Sequence, residues 1–185
     1  MTPREIETAL GGMVVLVDTR EQDTPRLRAR LKEINCPYER HKLDFGDYSF
    51  KVCDRDFSLQ CVVERKANVN ELWGNITKDR ERIEKEFHAM SSITHSANLI
   101  IECCPDRDFL KDFKLDSYTM QAQGRKVQDI GKYIYSTLQS WSSSNRYGLN
   151  IHYMRGNKGT ADLLLSIFYY YWQNYTELIK PIQHA

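Results

Sequence analysis

Three patterns of hydrophobic and polar positions recur along this chain, and each predicts a different kind of element. Met13-Val-Val-Leu-Val-Asp18 is a continuous apolar run closed by an acid, the signature of a strand buried on both faces. Ala97-Asn-Leu-Ile-Ile-Glu102 reads as a further buried strand. Leu149 to Met154 alternates like a strand, and Ser58 to Lys66 reads as a strand that turns polar at its end. Tyr38 to Phe50 predicts a strand running into a turn at Gly46-Asp47, and the polar stretch Lys51 to Phe57 joins it to the next strand as a hairpin. Helical spacing of Val69, Leu72, Trp73, Ile76, Ile83, Phe87 and Met90 predicts one long helix over 69–91, opened by an Asn68–Glu71 capping box. Ile130, Ile134, Leu138 and Trp141 mark a second amphipathic helix over 127–141. Pro25 to Glu33 is a short basic helix with proline at its first position. A last helix over 161–178, with Thr160 as its cap, is apolar almost all round. Residues 105–124 hold no sustained period and read as a mobile loop or short helix, either a substrate-contacting flap or a surface excursion.

The order β-α-β-β-β-α-β-α-β-α predicts an α/β fold with a mixed central sheet flanked by helices. The 185 residues suit one domain, spanning 13–180 after a polar N-terminal extension over 1–12. No apolar run is long enough to span a membrane, and the first residues lack a signal-peptide core. Cysteines at 36, 53, 61, 103 and 104 form no C-x-x-C pair and no metal-ligand spacing, so free thiols in a reducing, intracellular compartment are expected rather than secretion. A net charge of +1 leaves nucleic acid open as a partner, because a local basic face suffices for phosphate contact.

The candidate chemistry sits on the strand that turns polar. Alternation places Gln60, Val62, Glu64 and Lys66 on one face and Leu59, Cys61, Val63 and Arg65 on the other. Glu64 and Lys66 are then about 7 Å apart at Cα. A hairpin brings Asp47 beside Glu64, and two carboxylates with water and a phosphate oxygen satisfy Mg²⁺. Such an ion polarises a phosphodiester and acidifies a bound water, and Lys66 stabilises the charge that develops. Asp18 at a strand end and Glu21 three residues on are candidate third and fourth acids. The bland alternatives are a solvated E-x-K surface pair, a common Gly-Asp turn and a simple strand-to-helix turn at Asp18.

Together, Val17-Asp-Thr-Arg-Glu21, Gly46-Asp47 and Val63-Glu-Arg-Lys66 resemble the XPF-type structure-specific endonuclease domain, whose signature is G-D-x(n)-E-R-K-x(3)-D after a D-x-R-E element. The resemblance implies a restriction-endonuclease-like fold and Mg²⁺- or Mn²⁺-dependent cleavage of DNA. It implies Asp47 and Glu64 as metal ligands with Asp18 joining them, Lys66 as the catalytic lysine, Asp18 and Glu21 as further catalytic acids, and supporting roles for Arg20 and Arg65. The last acid of the signature falls on Asn70, and Glu71 beside it lies about 100° round a helix.

Arg26, Arg30, Arg80 and Arg82 are candidate DNA contacts, with a solvated, paired face as the alternative. The aromatic C-terminal helix is a candidate surface for a homodimer or heterodimer, with core packing as the alternative. No helix-hairpin-helix module is expected after it. Three readings follow: an endonuclease for branched or nicked duplexes, a silent DNA-binding or scaffold member of the same family, and a nuclease for another nucleic acid.

Overall fold

Strand β1 (Met13–Asp18) is an inner strand of a sheet, and its apolar side chains are buried on both faces but for a half-buried Val14. The structure, a computed structural model, describes residues 11–22, 25–115 and 129–179. Most of the expected N-terminal extension lies outside the described residues. So do Thr24, residues 116–124 of the expected loop, the expected start of a helix at Val127, and residue 180.

The sheet order is β2-β1-β3-β5-β6-β7, with a short β4 (Arg55–Asp56) paired to β3. Strand β2 (Tyr38–His41) lies parallel to β1, whereas β3 (Tyr48–Val52) lies antiparallel on its other side. The expected single strand over 38–50 is therefore two strands, and the loop between them carries the chain across the end of β1. Strand β5 (Cys61–Lys66) is antiparallel to β3 and parallel to β6 (Ser96–Ile101), which is parallel to β7 (Asn150–Tyr153). Parallel neighbours around one antiparallel strand make this the mixed α/β sheet that the element order predicted.

Helices cover both faces. Helices α1 (Pro25–Glu33) and α5 (Thr160–Asn174) pack on one, where Leu27, Leu31, Leu164 and Phe168 meet Val15, Phe50 and Val63. On the other, α2 (Val69–Thr77), α3 (Arg80–Ile93) and α4 (Ile130–Trp141) pack Trp73, Phe87 and Trp141 against Val62 and Leu99. Each side chain buried this way contributes about 1.5–3 kcal/mol.

Two helix ends differ from expectation. The long helix over 69–91 breaks at Lys78-Asp79. Asp79 leaves the helical region, and the Thr77 hydroxyl donates to the Trp73 carbonyl at 2.7 Å, a bond that competes with the helical ladder. Thr160 does not cap α5: the capping position is Gly159, and the Thr160 hydroxyl donates to Glu102 instead. Half of the expected Asn68–Glu71 box is present: Glu71 N–H donates to Asn68 Oδ1 at 2.9 Å, while Glu71 Oε2 accepts from Ala67 N–H at 2.8 Å, one residue before the cap. The described part of the 105–124 segment holds a 3₁₀ turn, Asp108–Asp112.

In the C-terminal helix, Leu164, Leu165 and Phe168 are committed to the core, while Tyr170 is exposed. After it, Tyr175–Ile179 forms a π turn. All five cysteines are free thiols. Among the described residues no helix is long and apolar enough to cross a membrane.

Candidate nuclease centre

Gly46 is what lets Asp47 reach the end of β5. It has a positive φ of 68°, and a Cβ there would stand 3.0 Å from the Val63 carbonyl oxygen. Both the angle and the close approach require glycine. Asp47 is then fixed from three sides. Its N–H donates to Val63 O at 2.8 Å, its carbonyl accepts from Asp18 N–H at 2.8 Å, and its Oδ2 accepts from Arg65 N–H at 2.7 Å.

The alternation expected in β5 is present. Val62 joins the α2–α4 core while Cys61 and Val63 join the α1–α5 core, so Glu64 and Lys66 face the first side and Arg65 the second. Glu64 and Lys66 are each 5% exposed and form a direct ion pair, Nζ to Oε1 2.6 Å. The gap expected between them is closed by the length of the two side chains.

Burial holds the Asp47 carboxyl well above the usual carboxylate range, and repulsion from Glu64 and Glu21 adds to this against the Arg65 N–H and Lys66. Burial also raises Glu64; Lys66 offsets part of that, and Glu86 and Glu21 add repulsion. Burial favours the neutral Lys66 amine, but Glu64, Asp47 and Glu71 outweigh it and raise the lysine above its ordinary value. The cluster is thus short of positive charge. Among the described residues no three His, Cys, Asp or Glu side chains form a ready metal cage. Mg²⁺ needs only one or two carboxylates with waters, so Asp47 and Glu64 fit a hard divalent ion.

The other predicted residues are placed differently. The Asp18 carboxylate is saturated: Oδ1 accepts from Arg20 N–H and Nε at 2.7 Å each, and Oδ2 accepts from Arg20 Nη2 at 3.2 Å and Leu43 N–H at 2.8 Å. Burial alone would raise this carboxyl, yet those bonds hold it below its ordinary value. Arg20 also donates to Leu43 O at 3.0 Å, so the pair braces the loop before Asp47. Glu21 Oε1 accepts from Arg65 Nη2 at 2.6 Å, Arg65 Nε at 2.9 Å and the Tyr48 hydroxyl at 2.8 Å.

Glu102, which the sequence reading left unassigned, completes that network. It is 3% exposed and accepts from Arg65 Nη1 at 3.1 Å and from the Thr160 hydroxyl. Its signal was the same as that of Asp18, an acid closing an apolar strand run. Two more acids went unassigned to the site. Glu71 Oε1 lies 3.9 Å from Lys66 Nζ, and Glu86 of α3 is close enough to act on both Glu64 and Arg20.

The four candidate DNA arginines all have partners within the chain. Arg26 donates to Asn157, Arg30 pairs with Asp162 and Glu33, and Arg80 pairs with Glu84 and donates to the Tyr133 hydroxyl. Arg82 is the loosest, 63% exposed and 3.6 Å from Glu86.

Comparison with known proteins agrees with this architecture. The solved structure of XPF from Aeropyrum pernix superposes with a TM-score of 0.59 at 18% identity, over 83% of this chain and 59% of that one. The same protein in complex with DNA superposes with a TM-score of 0.59 at 18% identity, over 86% of this chain and 65% of that one. The chain thus spans less than two thirds of the solved chains it resembles, and at this identity the likeness is one of fold. No curated protein matches. The sequence profile described as the ERCC4 domain matches residues 17–167, which takes in Asp18, the Gly46-Asp47 turn and the Glu64-Arg65-Lys66 strand end. The sheet, the strand-end acids and that match agree: the chain belongs to the ERCC4-domain family.

Proposed function

We propose that this protein is a divalent-metal-dependent endodeoxyribonuclease acting on branched or single/double-strand junction DNA. The observation that carries the reading is the convergence of Asp47, from the turn before β3, and Glu64, from the end of β5, both held above the usual carboxylate range, beside the Lys66 ammonium. Asp47 and Glu64 would hold Mg²⁺ or Mn²⁺, which when bound supplies a polarised phosphate and a water of lowered pKa. Lys66 places a fixed positive charge where the phosphate gains negative charge. Its compact ammonium suits that task better than a planar guanidinium. Arg65, turned to the other face, holds the strand end through Glu21 and Glu102.

Asp18 supports this centre as a brace rather than as a ligand, because ligation would strip bonds from Arg20 or Leu43. Arg20 and Arg82 are 64% and 63% exposed, and both lie near Glu86. They are the cations best placed to meet a DNA backbone beside the site. The solved relative in complex with DNA supports nucleic acid as the partner class. The exposed Tyr170 face of α5 is proposed as the surface for a second subunit.

The direct test incubates the protein with Mg²⁺ or Mn²⁺ and labelled fork, flap, nicked duplex, linear duplex and RNA hairpin. Cutting of the fork or flap near the branch is expected, with linear duplex left whole. Cutting of the RNA alone would move the substrate class, and tight fork binding with no cutting under either metal would favour the scaffold reading.

A further inference from the structure

Lys66 presents a problem that the nuclease reading does not solve. Its ammonium lies 2.6 Å from Glu64 Oε1 and so holds one of the two oxygens that a divalent ion can use. An ion that takes Oε1, alone or with Oε2, displaces a lysine that is 5% exposed and has little access to solvent. Leaving that ammonium beside a second cation with no carboxylate partner would oppose binding.

The start of α2 offers the missing partner. Glu71 stands in its first turn, five residues beyond Lys66. Its Oε2 is pinned by Ala67 N–H at 2.8 Å, and the reciprocal bond from Glu71 N–H to Asn68 fixes the backbone. That leaves Oε1 turned toward Lys66 Nζ at 3.9 Å. A movement of about 1 Å at the end of a flexible side chain closes this to a charge-assisted hydrogen bond.

We propose that Glu71 is a positioning residue which receives Lys66 when a divalent ion takes Glu64. The bond from Ala67 N–H and the cap at Asn68 aim the acceptor, and the lysine moves between two carboxylates without losing its charge. Lys66 then acts as the stand-in counter-ion of Glu64 in the metal-free protein and is released toward the phosphate, still tethered by Glu71, in the loaded one. Position 70, an exposed asparagine, brings no charge to this exchange, so the hand-over falls to Glu71. The inference rests on the proposed metal centre at Asp47 and Glu64.

Mn²⁺ binding, measured by calorimetry without DNA, tests it apart from activity. Glutamine can keep the capping bond to Ala67 while removing the charge, so Glu71→Gln is expected to hold the wild-type melting temperature. Its Mn²⁺ affinity is expected to fall about tenfold, the usual effect of a group supporting a ligand. Lys66→Met, which removes the competing ammonium, is expected to bind Mn²⁺ more tightly than wild type. In that background Glu71→Gln should change affinity less than about twofold, because its effect runs through the lysine. An equal loss in both backgrounds, or no loss in either, overturns the inference. Wild-type protein that binds no Mn²⁺ would instead remove the metal centre on which it rests.

Discussion

The backbone N–H of Arg65 donates to Asp47 Oδ2 at 2.7 Å, so the residue between Glu64 and Lys66 holds the third member of the proposed centre. Its side chain points through the sheet to Glu21 and Glu102 on the other face. One residue thus sets the spacing of Asp47 from the strand end and anchors that end to the neighbouring strand. Glu102 N–H, donating to Lys66 O at 2.9 Å, ties the same two strands again.

Removing the Arg65 side chain should therefore be costly. Arg65→Ala leaves Glu21 and Glu102, with side chains 9% and 4% exposed, facing each other without their shared cation. Breaking a buried pair in this way costs about 3–5 kcal/mol. Urea unfolding should show a loss of that size, and a loss under about 1 kcal/mol would mean the network carries no such weight.

Asp47 should behave in the opposite sense. Burial and two neighbouring carboxylates oppose its ionisation in the folded protein. A raised carboxyl contributes stability below its unfolded value, near pH 4, and that contribution is lost as pH rises through the folded value. Asparagine keeps an oxygen for the Arg65 N–H without the charge. Asp47→Asn is expected to melt a few degrees higher than wild type at neutral pH without divalent ions, with the difference shrinking toward pH 4. A lower melting temperature at neutral pH would contradict the charge account.

Asp18 carries the reverse sign. Its folded-state value is lowered, so its contribution is present above the unfolded value near pH 4 and is lost as pH falls through the folded one. Asp18→Ala abolishes four hydrogen bonds, one of them to the Leu43 N–H, and is expected to cost about 2–3 kcal/mol at neutral pH. Acid titration of both proteins should show the difference narrowing below pH 4. Were Asp18 a metal ligand instead, the variant would fold normally and lose Mn²⁺ affinity alone.

The placement of the strand-end side chains was legible because it depends on local periodicity. β1 is an uninterrupted apolar run ending in an acid, and β5 alternates, so both faces of each were assigned from residue order alone. The break between α2 and α3 was not legible. Ile76 and Ile83 are seven residues apart and stay in phase through Lys78-Asp79, so the stripe looks continuous although the helix is not. The division of 38–50 into β2 and β3 was hidden for another reason. Which side of β1 a strand joins is decided by partners distant in sequence. Arg65 was expected to face away from the metal side, but its partner Glu102 lies 37 residues on and no periodicity connects them.

Metal binding should follow proton release. Both proposed ligands hold their protons above the usual carboxylate range, and each must lose its proton to bind an ion. Mn²⁺ affinity should weaken steadily as pH is lowered through that raised range and level off above it. Affinity that stays constant down to pH 4, measured by calorimetry in two buffers of different ionisation heat, would point to ligands other than Asp47 and Glu64.

Single-turnover cleavage of an end-labelled DNA fork in Mn²⁺, with binding followed in parallel by anisotropy, addresses the centre itself. Wild type is expected to cut near the branch, while Glu64→Gln and Lys66→Ala bind the fork with similar affinity and cut it slower by about a hundredfold or more. Cleavage at the wild-type rate by either variant would place the chemistry elsewhere on the molecule.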